Sequence, residues 1–224
     1  MVIPETLAAV LAQDPQQQPA FHWDRDAWAP VADGVDGGPE LLAKLPDTVD
    51  RESTQAVVRS ELAIGRTLRA FLAVTVWGWG DDDRGPKQTR WVLTGHRRAD
   101  AFEQPVLSSV APRLTRSAEL VRGRGPLEGF RYLVTEGQIK GFGPQFLTKW
   151  LYFASAREGL DGPQVAPILD TKIAAWLEAN GVEPLDPKRT ISYARYVNLL
   201  REWGGADHHP AQVEQAISQL IREG

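Results

Sequence analysis

Residues 139–154 read IKGFGPQFLTKWLYFA, a glycine-rich turn followed at once by a bulky apolar segment. The glycines on either side of Phe142 allow backbone angles that other residues resist. Pro144 has no backbone N–H and a fixed φ, which suits the first turn of a helix. The stretch therefore predicts a tight turn and then a helix over 144–155, with a single charged residue, Lys149, in its apolar middle.

A second helix is predicted just before this turn. Pro126 is a suitable first residue for it, its apolar residues continue to Leu133, and the region around Gly137 ends it. Two helices joined by a Gly-Phe-Gly turn with Ile139 before it predict a helix-hairpin-helix over 126–155. The amides of such a turn and the start of its second helix can bind a phosphate. The alternative is a plain helix–helix corner with no ligand.

Lys149 has two readings from its neighbours. On a helix that starts near Pro144, Gln145 and Lys149 are four residues apart and lie on one face. The ammonium can extend to solvent from an otherwise buried helix. Alternatively, it lines a pocket in which desolvation lowers its pKa and frees the neutral amine as a nucleophile. Attack of such an amine on a sugar C1′ gives a Schiff base.

Asp170 is the carboxylate that this chemistry would require. Residues 166–170 read APILD, an apolar segment that ends at the predicted N-cap of a helix over 171–179. An aspartate at a helix N-cap is held in place and favoured as the anion, so it can stabilise positive charge that develops on a sugar. A simple capping role is the alternative. Asp186, before Pro187, is interpreted as a cap only.

The remaining pattern predicts an all-α fold. Apolar spacing over 53–76 suits one long helix with a kink at Gly65, and it ends in Trp77-Gly78-Trp79-Gly80. One or two helices are expected over 99–121, another from Asp186 to Trp203, and a last one over 211–222. No run of alternating apolar and polar residues predicts a strand.

Composition limits the classes of protein. The 224 residues include no cysteine, which excludes disulfides, cysteine zinc sites and iron–sulfur clusters and is typical of a cytoplasmic protein. Neither a signal peptide nor a membrane span is expected, and the sequence predicts no metal and no cofactor. Residues 1–50 carry nine acidic and two basic residues, whereas the rest carry 23 basic and 20 acidic ones. We therefore expect an acidic N-terminal segment, 1–50, packed on a helical main domain, 51–224.

The hairpin, the helix with Lys149 and the segment ending in Asp170 together resemble the helix-hairpin-helix DNA glycosylases, in particular their 8-oxoguanine (OGG-type) branch. In the bacterial and eukaryotic pattern the catalytic lysine lies two residues after the second glycine, where this chain has Gln145. Lys149 lies one turn later, in a setting similar to that of the archaeal 8-oxoguanine glycosylases. The resemblance implies that Lys149 is the nucleophile and Asp170 its assisting carboxylate. It also implies that the hairpin residues Lys140, Gly141, Phe142, Gly143 and Gln145 bind the DNA backbone.

A glycosylase must flip its target base and stack it between flat side chains. Trp77 and Trp79, flanked by glycines, and Trp150 are the predicted base pocket, although aromatic residues at helical spacing are commonly core. Four arginines near the hairpin are further candidates for phosphate contacts: Arg113, Arg116, Arg122 and Arg124.

Three functions follow as alternatives. The leading one is a DNA N-glycosylase, with or without AP-lyase activity, that removes a modified purine such as 8-oxoguanine or a deazaguanine-type base. The second is a non-catalytic nucleic-acid or modified-nucleotide binding module on the same fold. The resemblance also extends to a bacterial group of OGG-fold proteins, some encoded in CBASS-type anti-phage operons, which implies a defence-complex partner. In that third reading, residues 1–50 form the partner surface.

Overall fold

The computed structural model describes residues 2–13, 16–97 and 99–224 and confirms the all-α prediction. Within these residues 62% of the chain is helical. The α-helices are α1 (Glu5–Leu11), α2 (Arg25–Ala32), α3 (Gly38–Lys44), α4 (Arg51–Ala63), α5 (Thr67–Trp79), α6 (Gly85–Thr94), α7 (Val110–Arg124), α8 (Pro126–Val134), α9 (Pro144–Ser155), α10 (Thr171–Ala179), α11 (Thr190–Gly204) and α12 (Pro210–Glu223). A short 3-10 helix spans Ala99–Phe102.

A small antiparallel sheet accompanies the helices. Strands β1 (Phe21–His22) and β2 (Thr48–Val49) pair Phe21 with Val49 and His22 with Thr48. The sequence did not predict these strands because two residues are too few to show an alternating pattern. Their effect is to hold the chain before α2 against the residues that lead into α4.

The helix predicted over 53–76 is two helices. α4 ends at Ala63 and α5 begins at Thr67, and Gly65 between them has a φ of +74°. A left-handed residue ends an α-helix, so the predicted kink is a complete break. The two helices then pack against each other, and α5, most of whose residues are buried, lies inside the fold.

Helix α9 lies at the centre of the molecule and contacts α4, α5, α7 and α8. Every residue from Phe146 to Ser155 is buried except Lys149, within a segment that the structure describes completely. A helix that is buried on all sides leaves a charged side chain few routes to solvent. The position of Lys149 is therefore decided by the elements that pack around α9.

The prediction for Asp170 as a helix cap is confirmed, and that for Asp186 needs correction. Asp170 Oδ1 accepts the backbone N–H of both Lys172 and Ile173 at 3.0 Å, at the start of α10. Asp186 instead accepts Lys188 N in a turn at 2.9 Å. Helix α11 begins only at Thr190.

The first fifty residues share the hydrophobic core of the remaining chain. Leu7, Trp28 and Leu41 are buried in the same apolar cluster as the centre of α9. Helix α1 contacts α12, α2 contacts α6 and α3 contacts α5. The separation of an acidic segment from a main domain at residue 50 remains a prediction.

Candidate active site

A cleft of about 700 Å³ opens where the end of α5, the middle of α9 and the start of α10 meet. The chain before α2 and the last helix, α12, complete its walls. It is lined by Gln18, Phe21, His22, Arg51, Trp77, Gly78, Trp79, Gly80, Asp81, Lys149, Ile168, Asp170, Lys172, Ile173, Glu214, Ser218, Ile221 and Arg222. Both residues predicted to be catalytic, Lys149 and Asp170, line this one cleft.

The Lys149 side chain is anchored to the end of α5. Its Nζ donates a hydrogen bond to the carbonyl oxygen of Gly78 at 2.8 Å. Carbonyls in the last turn of a helix lack an intrahelical partner, and this one is satisfied by the lysine. A Cβ at position 78 would lie 3.3 Å from Lys149 Cδ and 2.8 Å from Phe146 Cε1, so a glycine is required for the close approach.

The pKa of Lys149 lies below its ordinary value. The main cause is burial, which disfavours the ammonium, and the positive charge of Arg51 acts in the same direction. The carboxylates of Asp170 and Glu214 oppose these effects and raise the pKa, whereas Lys172 adds slightly to the lowering. The neutral amine is therefore more populated near neutral pH than that of an exposed lysine.

Asp170 also lines the cleft, and its carboxylate caps α10. The side chain is partly exposed. Among the described residues, Asp170 and Lys149 form no direct ion pair, although the charge of Asp170 acts on the pKa of Lys149. The two groups thus interact electrostatically across more than 4 Å.

A buried ion pair between Arg51 and Glu214 forms part of the cleft lining. The Arg51 guanidinium donates to both carboxylate oxygens of Glu214, at 2.7 and 2.9 Å, and Ser218 Oγ donates to Glu214 Oε1 at 2.8 Å. The guanidinium also lies 5.0 Å from the centre of the Tyr152 ring. Burial is the largest single influence and acts to lower the pKa of Arg51, but the combined attraction and hydrogen bonding of Glu214 and Tyr152 leave that pKa raised. Burial raises the pKa of Tyr152 to about 12, so the phenol stays neutral.

Two of the three tryptophans predicted for the base pocket line the cleft, and Trp150 does not. Trp79 is partly exposed and stacks on Phe146 with ring centroids 4.4 Å apart. Trp77 forms an inner wall, with Lys149 Nζ 5.5 Å from its ring centroid. Trp150 is 0% exposed and donates its Nε1–H to Ser117 Oγ at 2.8 Å. The prediction for Trp150 is corrected: its indole is part of the core, because α9 turns that face toward α7.

The predicted hairpin residues lie in a different groove, of about 790 Å³. Lys140, Gly141, Phe142 and Gly143 line it, together with Arg113 and Lys188, whereas Gln145 is absent from the lining of this groove and of the cleft, both formed by described residues. The edge of Phe142 packs on Phe71, with ring centroids 5.4 Å apart. The groove is lined by Pro144 and Leu147 of α9 and the cleft by Lys149, so the two cavities use different residues of this helix.

The two positions of the turn differ in whether they require a glycine. Gly141 has a φ of +83°, and a Cβ there would lie 2.8 Å from the Trp91 ring. Gly143 has an ordinary φ of −75° as the N-cap of α9, and apart from its chain neighbours no described atom lies within 4 Å of the site of a Cβ. Only Gly141 adopts the conformation that the sequence led us to expect of both.

The arginines predicted to contact phosphate have mixed positions. Arg113 Nη1 donates to the carbonyl of Gln138 and remains at the hairpin groove. Arg122 Nε donates to Ala154 O at 2.6 Å, which ties α7 to the end of α9. Arg116 forms an exposed ion pair with Glu119. Arg122 is thus a structural residue.

Several cleft residues were not anticipated from the sequence. They come from the segment before α2, Gln18, Phe21 and His22, from the start of α4, Arg51, and from α12, Glu214, Ser218, Ile221 and Arg222. The four α12 residues follow the spacing of a single helix face, which was the one available signal. In the part of the chain that the structure describes, no group of three or more His, Asp or Glu side chains is arranged to hold a metal.

The fold and the site define a class: a helix-hairpin-helix glycosylase-like protein whose hairpin leads into a lysine-bearing helix, with a helix-capping aspartate on the same cleft. Residues 14–218 match the family model described as "Putative 8-oxoguanine DNA glycosylase OGG-like protein". The chain belongs to this OGG-like family. No curated protein and no solved structure gives a match.

Family membership has consequences for the coarser predictions. A glycosylase family implies DNA as the substrate, in agreement with the predicted class of function. None of the helices in the described ranges has the length and apolarity needed to cross a bilayer. The family match is silent about anti-phage operons, and that link remains a prediction.

Proposed function

We propose that this protein is a DNA N-glycosylase that removes a modified purine, with Lys149 as nucleophile and Asp170 as the stabilising carboxylate. The observation that carries the proposal is the Lys149 amine: it has a lowered pKa and lies in a cleft of about 700 Å³ that Asp170 also lines. A lysine made less basic by burial is suited to nucleophilic attack near neutral pH.

The reaction follows from these two groups. The lone pair of the neutral Lys149 amine forms a bond to the sugar C1′. The C1′–N9 bond breaks at the same time, and the two electrons of that bond leave with the purine. Asp170 stabilises the positive charge that develops on the sugar. One proton passes from the new ammonium to the departing purine. Opening of the C1′–O4′ bond, with uptake of a proton by O4′, then gives an iminium bound to Lys149.

The aromatic wall provides a place for the flipped base. Trp79 stacked on Phe146 offers a flat surface at the cleft, and Phe21 lines the cleft from the segment before α2. Stacking on aromatic rings is typical of enzymes that take a base out of the helix. We propose 8-oxoguanine or a deazaguanine-type base as the substrate.

The hairpin groove is proposed to hold the DNA backbone. Lys140 and Lys188 bring cations to it from two separate parts of the chain, and Arg113 adds a third from α7. The backbone N–H groups of Gly141 and Gly143 lie next to them, whereas at the start of α9 Pro144 has no N–H and the amides of Phe146 and Leu147 donate to Gly143 O. Cations and amides in one groove are suited to phosphate and carry no sequence information themselves.

One observation favours a second candidate, a non-catalytic nucleic-acid binding module. The bond from Lys149 Nζ to Gly78 O satisfies the end of α5, so the lysine also has a structural task. In that alternative, Lys149 is a helix cap and the cleft binds a modified nucleotide without cleaving it. A role in an anti-phage complex would belong to this candidate.

A borohydride-trapping panel separates the two candidates. Duplexes carrying 8-oxoguanine, a deazaguanine-type base, an abasic site or unmodified guanine are incubated with the full chain and sodium borohydride. We expect a covalent complex with at least one modified purine, and peptide mass mapping should place the reduced adduct on Lys149. Tight binding of a modified duplex with no adduct on any substrate would support the binding module. Strand cleavage after base release would add AP-lyase activity.

Gly78→Ala is expected to slow the reaction while leaving DNA binding intact. The added methyl would lie 2.8 Å from the Phe146 ring and 3.3 Å from Lys149 Cδ, so the amine must move. We expect the single-turnover rate of adduct formation to fall by about tenfold to a hundredfold, the effect of misplacing a reacting group by an ångström or less. Quenched time courses at saturating protein measure this rate.

Gly123→Ala is the matched control for that variant. Gly123 is also a helical glycine, in α7, and no described atom outside its local backbone lies within 4 Å of the site of its Cβ. Alanine should raise stability there by about 0.5–1 kcal/mol through its higher helix propensity and leave the rate unchanged. Equal rates for Gly78→Ala and wild type would show that the anchor at Gly78 does not position the amine.

A further inference from the structure

The segment that leads to Asp170, residues 166–169, belongs to no helix or strand and is deeply buried. Ala166 is 0% exposed, Ile168 2% and Leu169 1%. Backbone N–H and C=O groups buried in this way require hydrogen-bond partners. The two strands of the described chain lie elsewhere, so side chains have to supply those partners.

Four side chains from two helices do so. Ser155 Oγ accepts the N–H of Ala166 at 2.9 Å. From α11, the hydroxyl of Tyr193 donates to Pro167 O at 2.9 Å and that of Tyr196 to Ile168 O at 2.6 Å. The fourth is Thr148 of α9, which bonds to Leu169. Each residue from 166 to 169 is thus fixed by one buried side chain.

Among these four side chains, that of Thr148 links the two segments that carry Lys149 and Asp170. Its Oγ1 accepts the N–H of Leu169 at 3.1 Å, and the hydroxyl can donate its single proton to Leu169 O, 3.2 Å from Oγ1, or to the carbonyl oxygens of Pro144 and Gln145, each at 3.3 Å. The next residue after Thr148 is Lys149, and the next after Leu169 is Asp170. One buried hydroxyl therefore joins the backbones that carry the two reacting groups.

We infer that Thr148 is a positioning residue that sets the separation between the Lys149 amine and the Asp170 carboxylate across the cleft. The inference rests on the proposed function and adds to it a residue that does not touch the substrate. Asp170 is held by its cap on α10 from one side and by the bond at Leu169 from the other. Removal of the hydroxyl frees the second of these restraints and leaves Leu169 N–H without its partner.

The test compares Thr148→Val with Thr148→Ser. Valine keeps the shape of threonine and removes the hydroxyl, whereas serine keeps the hydroxyl and removes the methyl group. We expect valine to slow single-turnover adduct formation by about tenfold or more, the effect of a modest displacement of reacting groups. Serine should restore most of the wild-type rate, and DNA affinity should be equal in all three proteins.

The pH profile of trapping gives a readout that loss of stability alone would not move. The reaction needs the neutral amine, so its rate rises as pH passes through the pKa of Lys149. The charge of Asp170 raises that pKa. In Thr148→Val, Asp170 should lie farther from Lys149, so the pKa of Lys149 falls and the rising limb of the pH–rate profile shifts to lower pH. The rate on the plateau should fall as well. The other charged or titratable groups of the cleft, His22, Arg51, Asp81, Lys172, Glu214 and Arg222, are the same in every variant. Asp170→Asn gives the limiting shift in the same direction.

The outcomes are distinct. Absence of any adduct with wild type would reject the proposed function itself. A wild-type adduct together with an unchanged rate and pH profile for Thr148→Val would overturn the inference, as would a slow valine variant that serine does not rescue. Should Thr148→Val fail to fold, Tyr196→Phe removes one neighbouring bond of the same segment. It should shift the profile in the same direction by a smaller amount, and no shift would overturn the inference.

Discussion

Lys149→Gln is expected to eliminate the borohydride-trapped complex and to slow base release by at least about 10²–10⁴-fold, the range that a positioned catalytic group contributes. Glutamine has no basic nitrogen, so it cannot form an iminium with the sugar. Its amide can still fill part of the cleft wall beside Trp77. The measurement is single-turnover base release and adduct yield on the modified duplex that traps best with wild type.

The matched control is a second lysine of the same cleft. Lys172 lines it from α10 and is exposed, whereas Lys149 is largely buried. Lys172→Gln removes the same charge and should retain the adduct. DNA affinity should be similar for the two variants. Loss of the adduct in Lys172→Gln with its retention in Lys149→Gln would transfer the nucleophile to the other lysine and contradict the proposal.

The sequence was sufficient for the local features of the fold. Pro144 at the start of α9 and the cap at Asp170 depend on short-range geometry, and the structure has both as predicted, whereas only Gly141 of the two turn glycines has the expected backbone angles. The break at Gly65 was predicted as a kink, because a helical pattern on both sides of one glycine does not reveal whether the chain changes direction. The residues at which a helix begins and ends are set by the local sequence, whereas the packing of helices against one another is not.

The cleft could be predicted only in part for the same reason. Helix α9 is apolar on nearly all faces, so periodicity could not tell buried Trp150 from a tryptophan that lines a pocket. Glu214 and Phe21 both line the cleft but come from opposite ends of the chain. These two ends meet only through tertiary packing. The single lysine in an apolar helix predicted that Lys149 lines a pocket, and it lies in the lining of the cleft. Its partner Gly78 gave no comparable signal.

Glu214→Gln is expected to destabilise the protein by about 3–5 kcal/mol, the usual effect of removing one partner from a buried ion pair. Glu214 is 1% exposed and Arg51 7%, so water cannot solvate the guanidinium that is left behind. For a chain of this length the loss corresponds to a melting temperature lower by roughly 6–20 °C. Thermal and urea unfolding followed by circular dichroism measure both quantities.

The control for this prediction is the double variant Arg51→Met/Glu214→Leu, which removes the remaining charge as well. Replacement of a whole buried pair by apolar residues of similar size is often neutral or stabilising, so the double variant should regain most of the lost stability. Glu214 raises the pKa of Lys149 and Arg51 lowers it. The pKa of Lys149 should therefore be lower in Glu214→Gln than in the double variant, which lacks both effects. A double variant as unstable as Glu214→Gln would mean that Arg51 stabilises the fold through its packing against Tyr152 and Trp77, with the charge of the pair contributing little.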